Sequence, residues 1–131
     1  NATTDATRRE LMPVARKYSL ADVHAALCRF PLRPRERITI EYVLLAGVND
    51  SDADAERLAE FCEAFSHHIN LIPFNDHAGS PFRAPSEARL NLFAKALLAR
   101  RRTVVSVRRS RGSDIQAACG QLARESQPPL L

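Results

Sequence analysis

The chain has 131 residues, 45% of them hydrophobic, so it can bury a core of about one domain and is not disordered by composition. Its formal net charge of +4 is carried by 17 Arg and 2 Lys, and three cysteines in a chain with no secretory h-region favour a reducing cytoplasm over a disulfide framework. No apolar run approaches the ~20 residues that a membrane-spanning helix needs.

The first 37 residues predict a helical segment. A short helix should run from about Asp5 to Met12 and end at Pro13. Ser19 opens a second helix, with Asp22 three residues later as its partner in a capping box. The apolar stripe of this second helix comprises Leu20, Val23, Ala26, Leu27 and Phe30.

A basic connector, Pro31–Arg37, leads into three strand–loop–helix units that fill residues 38–123. The strands are predicted at Ile38–Leu45, Ile69–Phe74 and Thr103–Val107, and the helices at Ser51 to about Phe65, Ser86 through Leu98, and from Ser113 onward. The first strand is apolar on both faces, as in a parallel sheet covered on both sides. The predicted fold class is therefore α/β, a parallel βαβαβα unit with right-handed crossovers, followed by a C-terminal tail at residues 124–131.

Three parallel strands are few for a doubly wound sheet or an eight-stranded barrel, because both outer strands keep unpaired edges. We expect either half of a larger barrel or a small sheet completed in a homodimer. Since the chain begins at Asn1 rather than Met, we also expect it to be a piece of a longer protein.

The loops that follow the three strands should meet at one edge of the sheet, where parallel α/β proteins bind their ligands. The polar side chains that this topology gathers are Asn49, Asp50, Asn75, Asp76, His77, Arg109, Arg111 and Ser113. We therefore predict a ligand site at the carboxyl ends of the strands.

Cys119 is the chemically distinctive residue of the C-terminal segment. Arg109, Arg111 and a helix start would concentrate positive charge beside it, and such surroundings lower the pKa of a thiol. The alternative is an inert, buried cysteine, since Ile115 and Leu122 share helical spacing with it.

Charge is unevenly distributed along the chain. Residues 50–63 hold six acids against one arginine, and we interpret this run as a solvated helix face. Residues 100–111 hold six arginines and no acid, which makes them a candidate phosphate contact. Arg108, Arg109 and Arg111 are therefore candidate RNA-binding residues.

Five blocks, taken in order along the chain, form a specific combination. They are Asn1–Asp5, Leu11–Val14 with Lys17–Tyr18, Arg37–Leu45 with Gly47–Ser51, Asn70–Asn75, and Arg111–Gly112 with Asp114–Ile115 and Ala117–Ala123. These blocks resemble the C-terminal half of the radical-SAM adenine-C2 RNA methyltransferases, a dual-specificity family that methylates an adenine in large-subunit rRNA and in some tRNAs. Antibiotic-resistance relatives of that family act on C8. The resemblance implies half of a partial (β/α)6 barrel and S-adenosylmethionine (SAM) as cofactor.

The resemblance implies roles for three residues. Cys119 matches the cysteine that takes a methyl group from one SAM, before a 5′-deoxyadenosyl radical made from a second SAM activates that methyl to attack the adenine. Asn75 matches a SAM-contacting asparagine, and Asn1 lies in the segment that meets the SAM ribose. The chemistry agrees, since a low-pKa thiolate accepts methyl groups and an amide both donates and accepts hydrogen bonds.

Parts of the family's pattern are missing from this sequence. The CxxxCxxC motif that ligates the [4Fe–4S] cluster is absent, and Cys28 and Cys62, which we interpret as buried, lack the spacing to replace it. Residues 76–78 also differ from the proline and aromatic residue that the family usually has there. We therefore expect the cluster to be ligated by the N-terminal half of the parent protein, with no metal in this chain and no activity of the chain alone.

Three other interpretations are open. A metal site could be built from Cys62, His67, His68 and His77, although the spacing matches no common zinc pattern and the histidine pair fits a helix-to-strand turn. A non-catalytic RNA-binding α/β module could use the Arg-rich third strand and loop, but only 6% of residues are aromatic. A thiol-redox domain is disfavoured because Cys119 lacks a resolving partner.

Overall fold

The structure, a computed structural model, describes residues 1–108 and is built around a parallel sheet. Its strands are β1 (Ile38–Leu44), β2 (His67–Pro73) and β3 (Val105–Val107), in the order β1-β2-β3. The register places Ile40 beside Ile69 and Ile69 beside Val105. The predicted α/β fold with parallel strands is confirmed. The predicted helix after β3 and the tail at residues 124–131 lie outside the described residues.

Within residues 1–108 the α-helices are α1 (Asp5–Leu11), α2 (Leu20–Arg29), α3 (Asp52–Cys62) and α4 (Glu87–Leu98), and a 3-10 turn, Pro13–Arg16, follows α1. The capping boxes predicted at Ser19 and at Ser51 are both confirmed. Each such cap stabilises its helix by about 1 kcal/mol, because it satisfies backbone N–H groups that have no partner inside the helix. None of these helices is long and apolar enough to cross a membrane.

Helices α3 and α4 cover one face of the sheet. The buried side chains between them are Tyr42, Leu44, Ile69 and Leu71 from the strands and Leu58, Phe93 and Leu97 from the helices. Tyr42 and Phe93 stack with their ring centroids 5.7 Å apart. Fully burying a large apolar side chain stabilises a fold by roughly 1.5–3 kcal/mol. The layer between the sheet and these two helices, where these buried side chains gather, is therefore the hydrophobic core.

The opposite face of the sheet carries polar side chains that stay accessible. Thr39 and Glu41 of β1 are exposed, and His68 and Asn70 of β2 are half-buried. The prediction that both faces of β1 are apolar and covered is therefore wrong for the described part of the chain. The physical reason is that Thr and Glu occupy two of the positions between the inward-facing residues of this strand.

Strand β2 begins at His67, so the histidine pair starts the strand instead of lying in the predicted turn. His67 is on the covered face, where its Nδ1 lies 2.9 Å from the Phe65 carbonyl oxygen and its Nε2 lies 3.2 Å from Thr103 Oγ1. His68 is on the opposite face. The buried ring is accommodated because both of its nitrogens have hydrogen-bond partners.

Helix α2 has no fully buried residue, so its predicted apolar stripe is only partly covered. Ala26 is exposed, and Phe30 exposes 59% of its surface. Cys28 is also exposed, with Sγ 3.7 Å from the His24 ring, and its predicted burial is therefore wrong. The His24 ring contacts α3, edge-on to Phe61 at 5.1 Å between centroids. A contact of this kind covers one side of the helix and leaves the remaining positions to solvent.

Candidate functional site

The carboxyl edge of the sheet is organised by Asn49, whose side chain is completely buried. Its Oδ1 accepts from the Leu45 backbone N–H at 2.7 Å, and its Nδ2 donates to the carbonyl oxygens of Val43 at 2.7 Å and Asn1 at 2.8 Å. The amide therefore takes the place of a neighbouring strand at the end of β1. The sequence predicts a ligand-facing Asn49, but in the structure its whole side chain serves the backbone.

Asp50 also serves the loop after β1 rather than the predicted site. Its Oδ1 accepts from the Gly47 N–H at 2.9 Å, and Gly47 has φ +69°, a conformation that glycine adopts without a steric penalty. Both Asp50 and Asp54 are buried. The interpretation of residues 50–63 as a solvated face is therefore wrong at these two carboxylates, which are used inside the structure.

A polar cluster fixes the first residues of the chain against the start of α3. The Thr3 hydroxyl donates to Asp54 Oδ1, Arg57 Nη2 lies 2.8 Å from the same oxygen, and Arg57 Nε donates to Thr3 Oγ1 at 3.1 Å. Burial alone would raise the pKa of Asp54, but hydrogen bonds from Ser51, Thr3 and Arg57 outweigh burial and hold that pKa below its ordinary value. The ionised carboxylate thus joins the first residues to α3.

Asn1 lies at the edge of β1 that faces away from β2, close to the carboxyl end of the strand. Its Oδ1 accepts from the Val43 N–H at 3.0 Å. Its Nδ2 has no hydrogen-bond partner among residues 1–108, so this side chain can still donate to a ligand. The structure thus places the predicted cofactor contact at the predicted edge of the sheet.

The loop after β2 presents Asn75 at the same edge. The Phe74 N–H donates to the Leu44 carbonyl oxygen at 3.0 Å, which continues the β1–β2 pairing up to Asn75. Asp76 closes the loop, since its Oδ1 accepts from the Ala84 N–H at 2.6 Å. The half-buried Asn75 amide has no side-chain hydrogen bond within the described chain. The side-chain amide of Asn75 is therefore available to bind a ligand at this loop.

His77 packs against aromatic rings in the same loop. Its ring centroid lies 5.7 Å from that of Phe74, and Phe74 contacts Phe82 edge-on at 6.2 Å. Its Nδ1 lies 3.1 Å from the Ala78 carbonyl oxygen, so in the tautomer that donates there Nε2 is left as an acceptor. The three rings give the carboxyl edge an apolar wall beside Asn75, which the low overall aromatic content did not indicate.

The described arginines of the run at residues 100–111 lie at two different edges of the sheet. Arg108 is exposed immediately after β3, at the carboxyl edge, and its backbone N–H donates to the Leu71 carbonyl oxygen at 2.8 Å. Residues 100–102 precede β3 and lie at the amino edge, six to eight residues before Arg108, a separation of about 20–26 Å for a fully extended chain at 3.3 Å per residue. The predicted site residues Arg109, Arg111, Ser113 and Cys119 lie outside the described residues.

No three His, Cys, Asp or Glu side chains within residues 1–108 are placed to hold a metal ion, and the described residues do not fit an iron–sulfur cluster. The residues of the alternative metal site are dispersed: His67 and His68 occupy opposite faces of β2, and His77 lies beyond the other end of the strand. Burial raises the pKa of the Cys62 thiol to about 12, so Cys62 is a neutral core side chain.

A polar row crosses the open face of the sheet and was not among the predicted site residues. Glu41, Asn70 and Ser106 share one register position, and the Ser106 hydroxyl donates to Asn70 Oδ1 at 2.9 Å. The signal in the sequence is the alternation of β2, where Asn70 stands between the buried Ile69 and Leu71. The row lies below the carboxyl edge on the face opposite the helices.

The chain is similar to dual-specificity RNA methyltransferases. It is 53% identical over 128 residues to RlmN of Anaeromyxobacter sp. (strain Fw109-5), an alignment that covers 98% of this chain and 34% of that protein. It is also 53% identical over 122 residues to RlmN of Geobacter sulfurreducens, covering 93% of this chain and 34% of that protein. The chain thus spans about a third of the length of these curated relatives. No protein-family model matches it.

A solved structure has the same fold. A radical SAM methyltransferase from Sphaerobacter thermophilus superposes with a TM-score of 0.82 and 46% sequence identity, over 92% of this chain and 35% of that chain. The parallel α/β arrangement is consistent with part of a barrel. The resemblance indicated by the five sequence blocks is confirmed.

Proposed function

We propose that this chain, which is homologous to about a third of the RlmN dual-specificity RNA methyltransferases, is the part of such an enzyme that carries its methyl-accepting cysteine. The observation that carries the proposal is the 53% identity over 98% of the chain. The intact enzyme transfers a methyl group to C2 of an adenine in large-subunit rRNA, and in tRNA, in the cytoplasm.

Two amides at the carboxyl edge support a SAM-binding role. Among residues 1–108, no hydrogen-bond partner occupies the Asn1 Nδ2 beside the end of β1 or the Asn75 amide just beyond β2. An amide offers both donor and acceptor, which suits the hydroxyls of a ribose and the charged groups of an amino acid. Their positions flank the last residues of β1, so SAM would lie across this end of the sheet.

Cys119 is the residue that we assign to methyl transfer. Its thiol loses a proton, the thiolate sulfur attacks the SAM methyl carbon, and S-adenosylhomocysteine leaves, so the methyl group is held on the protein as a thioether. From their closeness in the sequence we expect Arg109 and Arg111 to favour the thiolate through their positive charge. The electron that cleaves a second SAM would come from an iron–sulfur cluster held by the N-terminal half of the parent protein, outside this chain.

RNA is the substrate class that fits the basic side chains at this edge. Arg108 is exposed at the end of β3 and carries no ion pair within the described residues. Guanidinium groups pair bidentately with phosphate, so Arg108, with Arg109 and Arg111, would hold the RNA backbone near the methyl-bearing thiol.

The test replaces Cys119 in the intact enzyme. Cys119→Ala should abolish RNA methylation and leave reductive SAM cleavage largely unchanged, because the methyl acceptor is lost while the cluster is not. Mass spectrometry should locate a methyl group on Cys119 of the wild-type enzyme isolated from cells. The matched control is Cys28→Ala on the exposed side of α2, which should retain methylation.

Retained RNA methylation by the Cys119→Ala variant would refute the carrier role. An intact enzyme that binds RNA but methylates none, with or without the substitution, would instead support the alternative of a non-catalytic RNA-binding α/β module.

A further inference from the structure

A second polar surface lies at the amino edge of the sheet, opposite the candidate site. A cleft of about 600 Å³ opens there between the starts of the three strands. We define the basic cleft by Arg37, Ser66, His67, Arg101, Arg102 and Thr103, all of which line it. None of these residues has a part in the methyl-transfer chemistry proposed above.

Two basic segments that are distant in the sequence meet at the basic cleft. The connector before β1 is tied to β2, because the Ser66 hydroxyl donates to the Glu36 carbonyl oxygen at 3.1 Å and the Ile38 N–H donates to the Ser66 carbonyl oxygen at 2.9 Å. The turn before β3 is tied to the same strand, with Thr103 Oγ1 3.2 Å from His67 Nε2. Strand β2 therefore starts between two arginine-bearing segments, each one strand spacing of about 4.8 Å away.

The arginines of the cleft are not neutralised within residues 1–108. Arg37, Arg101 and Arg102 are exposed, and no carboxylate in this part of the chain pairs with them. Glu63, the acid of the lining, is 3.2 Å from Arg100 and so is already paired. Within residues 1–108 the cleft thus presents three arginines that form no ion pair.

The floor of the cleft is satisfied internally. The Ser66 hydroxyl is engaged with Glu36, and both nitrogens of His67 have partners, one of them the Thr103 hydroxyl. The free donors are therefore the guanidinium groups. Two large apolar side chains line the cleft: Phe65 already packs against neighbouring rings, and Val104 is 41% exposed. Within the described residues the cleft thus offers a protein partner one open apolar side chain, fewer than the clustered anchors of most protein interfaces.

We propose that the basic cleft binds phosphate groups of the RNA substrate, at a point remote from the methyl-accepting edge. This inference rests on the proposed function and adds a second contact area to it. Guanidinium groups flanking a neutral floor favour bidentate contacts with backbone phosphates, which position a nucleic acid without reading its bases. An RNA that reaches both Arg108 and the cleft runs the length of β3.

The experiment compares RNA binding by the 131-residue chain and by its variant Arg37→Gln/Arg101→Gln/Arg102→Gln. The probe is a fluorescein-labelled single-stranded RNA of mixed sequence, and the readout is anisotropy over a range of salt concentrations. The plot of log K against log salt should become shallower by about 2, because each lost contact of a single strand removes about 0.7 from the slope. Residue 102 is changed to Gln and not to Gly, because the backbone φ of Arg102 is +68°. Glycine adopts such a φ without strain, so a glycine there would stabilise the fold and confuse the comparison.

The matched control removes the same charge elsewhere. Arg9, Arg16 and Arg29 are exposed on α1, on the 3-10 turn and on α2, and their triple change to Gln should alter the slope far less. A second variant, Arg37→Lys/Arg101→Lys/Arg102→Lys, keeps the charge and should keep the salt slope. Circular dichroism should show the same thermal transition for all four proteins.

Three results would overturn the inference. An unchanged slope in the cleft variant, or an equal loss in the control variant, would show that the cleft arginines make no particular contact. Binding of a poly-glutamate peptide by a wild-type chain that binds no RNA would assign the cleft to a protein partner. The readout is RNA affinity and not methylation, so the Cys119 test and this test can fail separately.

Discussion

Asn49 holds Asn1 in place: the Nδ2 of Asn49 donates to the carbonyl oxygen of Asn1 at 2.8 Å, across 48 positions of sequence. The same side chain binds the backbone of Val43 in β1 and of Leu45 immediately after it. A residue in the loop after β1 therefore fixes the position of a candidate SAM contact. Asn49 is thus a positioning residue, since its own amide is fully used.

Asn49→Ala should destabilise the fold by about 2–3 kcal/mol, because it leaves buried backbone groups of Val43 and Leu45 without partners. Urea unfolding followed by circular dichroism measures this change. Asn91→Ala, on the exposed surface of α4, is the matched control and should change stability by less than about 0.5 kcal/mol. Equal stability of the two variants would mean that water replaces the buried amide.

Asn75→Ala should weaken SAM binding by the intact enzyme about 5- to 10-fold, the equivalent of about one hydrogen bond. Isothermal titration calorimetry with SAM gives the affinity. The thermal transition should not change, because the Asn75 side chain makes no hydrogen bond within the described residues. Asn91→Ala again serves as the control. Unaltered affinity in the Asn75 variant would remove this residue from the SAM site.

Asp54 should make the fold sensitive to acid. Its pKa is lower in the folded chain than its ordinary value of 3.8, so its stabilisation is complete above that value and is lost as the pH falls through the folded pKa. Asp54→Asn should therefore flatten the loss of stability below about pH 4. Denaturant midpoints between about pH 2 and pH 6 test this. Glu56→Gln, exposed on the same helix, is the charge-matched control.

The two described cysteines should differ in reactivity. Cys62 is buried and its pKa is raised to about 12, whereas Cys28 is exposed. Iodoacetamide at about pH 8 should therefore alkylate Cys28 within minutes and leave Cys62 unmodified until the chain is unfolded in urea. Peptide mass spectrometry reads both sites at once. Equal labelling of the two in the folded chain would contradict the burial of Cys62.

Local signals in the sequence predicted the elements well. Ser19 and Ser51 each have an aspartate three residues later, and both pairs form the expected capping boxes, because a cap depends only on residues within one helical turn. The parallel order of the strands followed from short βα connections. Asn75 was expected at the carboxyl edge on the same grounds, and the structure places it there.

The errors concern contacts between distant parts of the chain. Asn49 and Asp50 looked like ligand-facing polar residues, but their partners are backbone groups that the sequence does not reveal. Phe30 lies at the end of an amphipathic stripe, yet within the described chain 59% of its surface remains exposed. The meeting of residue 37 with residues 101 and 102 at one cleft requires the register of the sheet, which the sequence does not specify.

The asparagines at the end of β1 also limit how the sheet can grow. Val43 and Leu45 direct backbone groups away from β2, and Asn1 and Asn49 occupy them. Thr39 points its backbone groups in the same direction, and among residues 1–108 no strand pairs with this outer edge of β1. A further strand, from a second copy or from elsewhere in the same protein, can therefore pair only with the first half of β1. The occupied backbone groups of Val43 and Leu45 thus set where the pairing must end, and this fixes the register of the incoming strand independently of its side chains.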